Sequence, residues 1–314
     1  MHIKILGSAA GGGFPQWNCA CSNCRAVRAG TFAGKARTQA QVAVSAGGAS
    51  WFLLGASPDL RAQIEGAQEL HPKDGVRQSP IAGVVLTSAD LDHVLGLLLL
   101  RELQPLQVFA TSSVSKILRE DNSFFRMLNR VPEQVDWNVI KPRIPFELLG
   151  RGAARSGVVC TPISIGTRYP AYVAPARAQE LRPEDAVAGL TVEALGDDGV
   201  PCKRLAYLSA VGEIDKTLLD TLAEVDILLF DGTFWSDDEL IGVDGSAATA
   251  RQMGHIPVGG LEGSLQKLAG LRKPRKIFIH VNNTNPMLNE AGPEYRAVRE
   301  AGWEIAEDGW QFTL

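Results

Sequence analysis

The chain has no apolar stretch near the roughly 20 residues that cross a bilayer, and its leucine-rich run at 95–100 stops far short. Its first residues lack the basic head, long apolar middle and small-residue cleavage site of a secretory leader. The expectation is therefore a cytoplasmic protein without membrane insertion. There is no large excess of one charge: 31 Lys and Arg against 35 Asp and Glu leave a net charge of -4. Such a balance gives no general attraction for nucleic acid. Histidine and cysteine are both scarce, at five residues each. The histidines, His2, His71, His93, His255 and His280, limit how many imidazoles a metal site can draw on. In a reducing compartment, clustered cysteines read as a metal site before a disulfide. What remains, 45% hydrophobic and 21% charged residues over 314 positions, suits a soluble chain of one large α/β domain or two small ones.

Three of the cysteines fall in Cys19-Ala20-Cys21-Ser22-Asn23-Cys24. Thiolates at this spacing can wrap one Zn²⁺ with three sulfurs, and a fourth ligand from elsewhere completes a structural tetrahedron. The bland alternative is three packed thiols. Before them, Gly7-Ser8-Ala9-Ala10-Gly11-Gly12-Gly13-Phe14-Pro15 lets backbone approach a ligand or cross a crowded core. It is not a phosphate cradle, since no Gly-Lys-Ser/Thr follows and Rossmann spacing is absent.

Apolar runs and alternation predict strands over 2–6, 81–86, 107–110, 204–210, 225–230 and 276–279, and two more over 40–54 around a turn at Gly47-Gly48. Ser57 as N-cap and Pro58 at the first helical position predict a helix over 59–66. Further helices are expected over 94–100, 112–127, 216–224 and 261–271. His71 sits in a turn-forming run and reads as a solvated loop histidine. Pro170, Pro175 and Pro183 mark 170–185 as an insertion or lid over a cleft.

Three apolar strands empty into Asp and His groups: Thr87-Ser88-Ala89-Asp90-Leu91-Asp92-His93, Asp231-Gly232-Thr233, and His280-Val281-Asn282-Asn283-Thr284-Asn285-Pro286. Unpaired charge beside a core is costly, so these read as metal or catalytic groups. For Asp90 and Asp92 the alternative is capping of a helix N-terminus. In α/β sheets sites collect at the carboxyl ends of strands, so the three loops are expected to converge. His255, in Met253-Gly254-His255, reads equally as a proton donor or substrate ligand and as a packed histidine bonded to backbone.

These residues resemble the metallo-β-lactamase superfamily, and within it the branch that serves synthesis of the quinone cofactor pyrroloquinoline quinone (PQQ). The likeness runs through 7–25, Ala56-Ser57-Pro58-Asp59-Leu60-Arg61, 88–93, 253–255 and 280–286. It implies one domain over 1–314, an αββα sandwich of two mixed β-sheets flanked by helices, with halves of roughly 1–190 and 191–314. Hydrolytic members carry His-x-His-x-Asp-His in the first loop, where this chain has Ser88-x-Asp90-x-Asp92-His93. Both histidines of the first metal position are gone, no histidine lies near 158–165, and position 55 is Gly55 where many relatives place an aspartate. The second metal position is complete in the resemblance: Asp92, His93 and His280, with Asp231 matching the residue that bridges two metals in relatives.

The resemblance thus implies one metal on two histidines and one or two carboxylates. That is the ligand set of mononuclear Fe(II) oxygenases, although Zn suits the same donors. Asp90 is then a weak ligand, an orienting partner of His93 or His280, or a general base. The implied activity is iron- and O₂-dependent hydroxylation of the tyrosine ring in a peptide-derived Glu-Tyr unit, with other PQQ-pathway proteins as partners and homo-oligomers open. Two alternatives stand: carriage of PQQ or its precursor toward the periplasm, and metal-dependent hydrolysis. Cys19, Cys21 and Cys24 would hold a structural zinc. A phosphodiesterase relative with the same cysteine run closes that site with a histidine three residues beyond the His280 equivalent, where this chain has Asn283; His255 is another candidate. Arg25, Arg61, Arg168 and Arg177 either serve a dipeptide's carboxylates or lie solvated on the surface.

Overall fold

The apolar runs become strands. A computed structural model describes residues 1–73, 75–196, 201–245 and 248–314. Among them lie β1 (His2–Gly7), β2 (Gln41–Ser45), β3 (Trp51–Leu54), β4 (Ile81–Val85), β5 (Leu106–Thr111), β6 (Val135–Ile140), β7 (Phe146–Leu149), β8 (Arg155–Gly166), β9 (Val187–Leu195), β10 (Pro201–Leu208), β11 (Ile227–Asp231), β12 (Arg275–Ile279), β13 (Trp303–Ile305) and β14 (Gln311–Thr313). They form two seven-stranded sheets, in the orders β14-β1-β2-β3-β4-β5-β6 and β13-β12-β11-β10-β9-β8-β7. Both are mixed, as the expected α/β class requires. The chain divides into two compact units, one of residues 1–6, 41–204 and 309–314, the other of 7–40 and 205–308.

In the first unit β3, β4, β5 and β6 run parallel. Strands β2, β3 and β4 are buried at every position, which is why they read as continuous apolar runs rather than alternating ones. Their core takes in Leu53, Val84, Leu86, Val94, Leu97, Val108 and Val114. In the second unit β10, β11, β12 and β13 are parallel throughout. There Phe278 stacks on Trp303 with ring centroids 4.2 Å apart.

Helices depart from the sequence reading where backbone contacts override local propensity. The helix expected from Ser57 is Leu60–Glu65, and Ser57 Oγ instead accepts from Asp59 N at 3.1 Å in the turn ahead of it. The segment at 94–100 is an α-turn, Leu91–Val94, followed by a 3₁₀ stretch, Leu95–Leu100. Its Gly96 packs backbone to backbone on 56–57: a Cβ there would lie 2.1 Å from the Ser57 carbonyl oxygen. The expected helix over 112–127 breaks into Ser112–Lys116, a π-turn at Ile117–Asp121 and the 3₁₀ stretch Ser123–Asn129. Only Ser264–Lys267 is helical within 261–271. His71 lies in the loop as expected but is half-buried and tied down, its Nε2 3.0 Å from Ile64 O and 3.1 Å from Glu65 O at the end of the helix Leu60–Glu65.

The proline-marked segment carries a short helix, Pro175–Glu180, and a turn, Pro183–Asp185. It is pinned to its own unit: Thr111 Oγ1 donates to Asp185 O at 2.7 Å, and the Tyr172 hydroxyl donates to Ala89 O. Among the described residues no helix is long and apolar enough to cross a membrane.

Gly96→Ala should cost about 3 kcal/mol in urea denaturation, since the clashing atoms are backbone and overpacking of this kind cannot relax through a rotamer. Gly47→Ala, in the β2–β3 turn with nothing within 4 Å of a new Cβ, should stay within about 0.5 kcal/mol of the parent.

Candidate metal centre

Parallel register places the first two groups. In the second unit Asp231 ends β11 opposite Ile279 of β12, so Asp231 and His280 leave neighbouring strand ends together. Gly232 N donates to Ile279 O at 2.8 Å, and a Cβ at 232 would lie 2.9 Å from both Phe278 Cβ and Met287 Cε. Only glycine permits that approach. His280 takes a left-handed φ of 60°, which costs a non-glycine residue about 1–3 kcal/mol. The loop around it supplies the compensation. Val281 N donates to Ser8 O at 3.0 Å, Ala10 N to Val281 O at 2.9 Å, and Asn282 N to Thr233 O at 3.0 Å. The glycine-rich run at 7–15 is thus a backbone-pairing strip.

Asp231 is fully buried, and four hydrogen bonds fill its oxygens. Oδ1 accepts from Thr233 N at 3.0 Å and Thr233 Oγ1 at 2.6 Å; Oδ2 accepts from Val211 N and His255 Nδ1, both at 2.8 Å. Burial pushes this carboxyl up, but His255 and His280 beside it, with the His255 and Thr233 hydrogen bonds, outweigh burial and hold it below the usual range. Thr233 has one hydroxyl hydrogen. The 2.6 Å contact to Asp231 takes it in preference to the 3.0 Å contact to His280 O. The hydroxyl oxygen therefore accepts from His280 Nδ1 at 2.8 Å, and the lone pair of that ring sits on Nε2. The His255 ring stacks on His280 with centroids 5.6 Å apart. Asp231, His255 and His280 each offer a ligand atom within 4.8 Å of the others.

The first unit repeats the device. Ser88 Oγ donates to Asp90 Oδ2 at 2.8 Å and so accepts from His93 Nδ1 at 3.0 Å, with Thr87 Oγ1 3.1 Å from the same nitrogen. His93 is buried and likewise presents Nε2 as its basic nitrogen. Its backbone is fixed from both sides: His93 N donates to Asp90 O at 2.9 Å and Ala56 N donates to His93 O at 2.7 Å. Asp90 stands at the N-cap but makes no side-chain bond to the helix, which disposes of capping as its role. Asp92 is in the first turn, its Oδ2 3.8 Å from His93 Nε2. Burial, with Asp90 nearby, pushes the Tyr172 phenol up.

The three cysteines cluster in the second unit, their sulfurs within 4.8 Å of one another. Cys21 caps Ser22–Arg28, its Sγ accepting from Cys24 N at 3.5 Å. Burial, with Cys21 alongside, pushes the Cys24 thiol up to about 11. His255 is bonded to Asp231, and the side chain that reaches the sulfurs is Asn283. Of the four arginines, Arg177 is committed to Glu120, Asp121 and Glu180, while Arg25, Arg61 and Arg168 are exposed.

Sequence reasoning passed over Thr87, Thr233 and Glu239, and saw Ser88 only as a missing histidine. A hydroxyl two positions from an aspartate at a strand end, as in Ser88/Asp90 and Asp231/Thr233, was the signal available. Glu239 gave none; it begins Glu239–Asp244 and accepts from Trp235 N at 2.6 Å and from Thr284 Oγ1.

A β-lactamase superfamily domain matches residues 50–281. Coenzyme PQQ synthesis protein B of Methylorubrum populi is 40% identical over 100% of both chains, and that of Gluconobacter oxydans is 40% identical over 100% of this chain and 99% of the relative. The chain belongs to the coenzyme PQQ synthesis protein B family. The crystal structure of a Zn²⁺-bound family member from Methylobacterium extorquens superposes with a TM-score of 0.89 at 39% identity over 100% of both chains. A diphosphatase of the PhnP family, at TM-score 0.64 and 19% identity over 100% of this chain and 97% of its own, shares the fold. The fold is therefore that of the metallo-β-lactamases, as expected.

Burial pushes the Glu239 carboxyl up to about 7 from its ordinary 4.5. Between those values the folded state holds the proton that the unfolded chain has lost. The contribution to stability is then full below about pH 4.5 and declines as pH rises through 7. Glu239→Gln should flatten this part of the Tm-against-pH curve in scanning calorimetry; a curve parallel to the parent's would mean that Glu239 does not titrate there.

Proposed function

We propose that the protein acts in PQQ biosynthesis as a mononuclear metal-dependent oxygenase that hydroxylates the tyrosine ring of a peptide-derived Glu-Tyr unit, with Asp92, His93 and His280 as its metal ligands. The observation that carries this reading is the paired orientation of the two histidines. Each holds Nδ1 on a hydroxyl whose hydrogen goes to a carboxylate, Ser88 with Asp90 and Thr233 with Asp231. That is the arrangement metal-ligating histidines need, because it fixes the tautomer and the ring plane while leaving Nε2 basic. The family's PQQ-synthesis names support the pathway, and the Zn²⁺-bound relative supports a metal.

Positions 88 and 90 decide between oxygenase and hydrolase in this reading. Hydrolytic relatives use both for imidazole ligands of a first metal. Here they are a hydroxyl and a carboxylate already spent on orienting His93. One metal on two imidazoles and a carboxylate keeps coordination positions open for O₂ and substrate. When bound, Fe(II) supplies the electron transfer to O₂ that ring hydroxylation needs and that Zn²⁺, having no redox chemistry, does not.

The remaining residues have roles in orientation and proton handling. Asp231 could join a metal shell only by giving up one of four hydrogen bonds, so its part is to fix His280 through Thr233 and to hold His255 directly. With Nδ1 donating to Asp231, His255 has Nε2 to accept or return a proton at the phenol oxygen. Cys19, Cys21 and Cys24 hold a structural zinc apart from this chemistry.

Protein purified without oxygen, loaded with Fe(II) and given O₂, a reductant and Glu-Tyr should yield a catechol carrying one added oxygen by mass spectrometry; zinc-loaded protein should not. Iron-loaded protein that yields none, while zinc-loaded protein cleaves an ester or phosphodiester, would return the chain to the hydrolases. Unchanged PQQ output from cells carrying His280→Ala would favour carriage. Thr233→Val should lower active-site metal affinity about ten- to a hundred-fold in chelator competition, with Thr233→Ser close to the parent.

A further inference from the structure

Strand β2 carries an amide into the core of the first unit. Gln41 is 0% exposed, as buried as Val42, Ala43 and Val44 beside it. An amide placed there is costly unless its polar atoms are bonded. Those of Gln41 are bonded to a single short turn. Nε2 donates to Leu54 O at 3.2 Å and to Gly55 O at 2.9 Å, while Oε1 accepts from Ser57 N at 2.7 Å. The register of β2 on β3 has Val42 opposite Leu54 as its last step, and the Gln41 side chain carries hydrogen bonding beyond it.

The same turn holds the backbone of His93. Ala56 N donates to His93 O at 2.7 Å, and Gly96 N donates to Ala56 O at 2.9 Å. Gly55 N donates to Val85 O at 2.8 Å, at the end of the strand that leads into 87–93. Residues 54–57 thus bond Gln41 through Leu54, Gly55 and Ser57, and the His93 turn through both polar groups of Ala56. Gly55 takes a φ of 85° and brings no side chain of its own. Ala56 and Ser57 are fully buried, so bulk water is no substitute for the amide. Hydrogen bonds weaken steeply as their angles open. A displaced His93 backbone would therefore loosen the ring from Ser88 and Thr87, which lie 3.0 and 3.1 Å from Nδ1.

We infer that Gln41 is a positioning residue for the metal centre, acting through the 54–57 turn to hold His93 where Ser88 fixes its ring. The inference rests on the reading of His93 as a metal ligand. It adds a side chain two contacts removed from that imidazole: amide to turn, and turn to the His93 backbone.

Histidine side-chain NMR of the metal-free, full-length protein tests it, with His93→Ala identifying the His93 signals. Gln41→Met keeps the side chain's length and removes its three hydrogen bonds. It should shift the His93 ring signals and leave those of His280 and His255, which are bonded to Thr233 and Asp231, as in the parent. Metal affinity at the His93 site should fall about ten-fold in chelator competition. A Gln41→Met protein with a lower Tm but the parent's His93 signals and metal affinity makes Gln41 an ordinary core amide and overturns the inference. Should that variant not fold, Gln41→Asn decides, since its amide stops a methylene short of the turn: displaced His93 signals support the inference and parent signals overturn it. If His93→Ala itself keeps the parent's metal affinity, the metal reading fails and this inference with it.

Discussion

A hydroxyl oxygen accepting from an imidazole Nδ1–H is the contact on which the rest of this structure turns. It occurs twice, Ser88 to His93 and Thr233 to His280, each time with the hydroxyl's own hydrogen committed to a buried or half-buried carboxylate. A histidine alone can present either nitrogen. A hydroxyl that has already donated can only accept, so it settles the tautomer and holds the ring plane. The carboxylate at the far end stabilises the arrangement because its partners are hydrogen-bond donors and not bulk water.

Holding these chains in register asks a good deal of the backbone. Asp231 and His280 meet because β11 and β12 pair in parallel with Asp231 opposite Ile279, and because residue 232 has no side chain to keep the strand ends apart. His280 accepts an unfavourable φ, and the loop beyond it is tied down by Ser8, Ala10 and Thr233. In the other unit Gly96 does for His93 what Gly232 does for Asp231: it lets backbone pass within contact of 56–57, so the turn bearing His93 is bonded on both sides. Small residues here act through what they leave room for.

The same chains show how one fold leaves hydrolysis behind in the proposed reading. In that reading Ser88 and Asp90 stand where hydrolytic relatives carry imidazoles for one metal, and here they support His93 as a proposed ligand of the other. Loop chemistry varies while the scaffold persists, as the shared fold with a diphosphatase of 19% identity illustrates.

The strands were legible because burial on both faces writes an unbroken apolar run, and β4, β11 and β12 could be located from 81–86, 225–230 and 276–279 with the charged groups at their ends. The cysteine cluster was legible from spacing alone. Of the helices, 59–66 and 216–224 were legible as Leu60–Glu65 and Lys216–Ala223, and the others were not. Gly96 answers to a backbone contact on 56–57 that no local pattern encodes, and 112–127 and 261–271 each hold shorter elements than their periodicity suggests. His71 became a helix-end partner and His255 a partner of Asp231 through contacts made across turns and between strands. By itself the sequence determined which chemical groups stand at the strand ends, since composition and periodicity are local properties. Which hydroxyl faces which imidazole, which carboxylate takes the hydrogen, and which amide reaches the three sulfurs were decided only by the tertiary structure, because hydrogen-bond direction depends on distances between residues far apart in the chain.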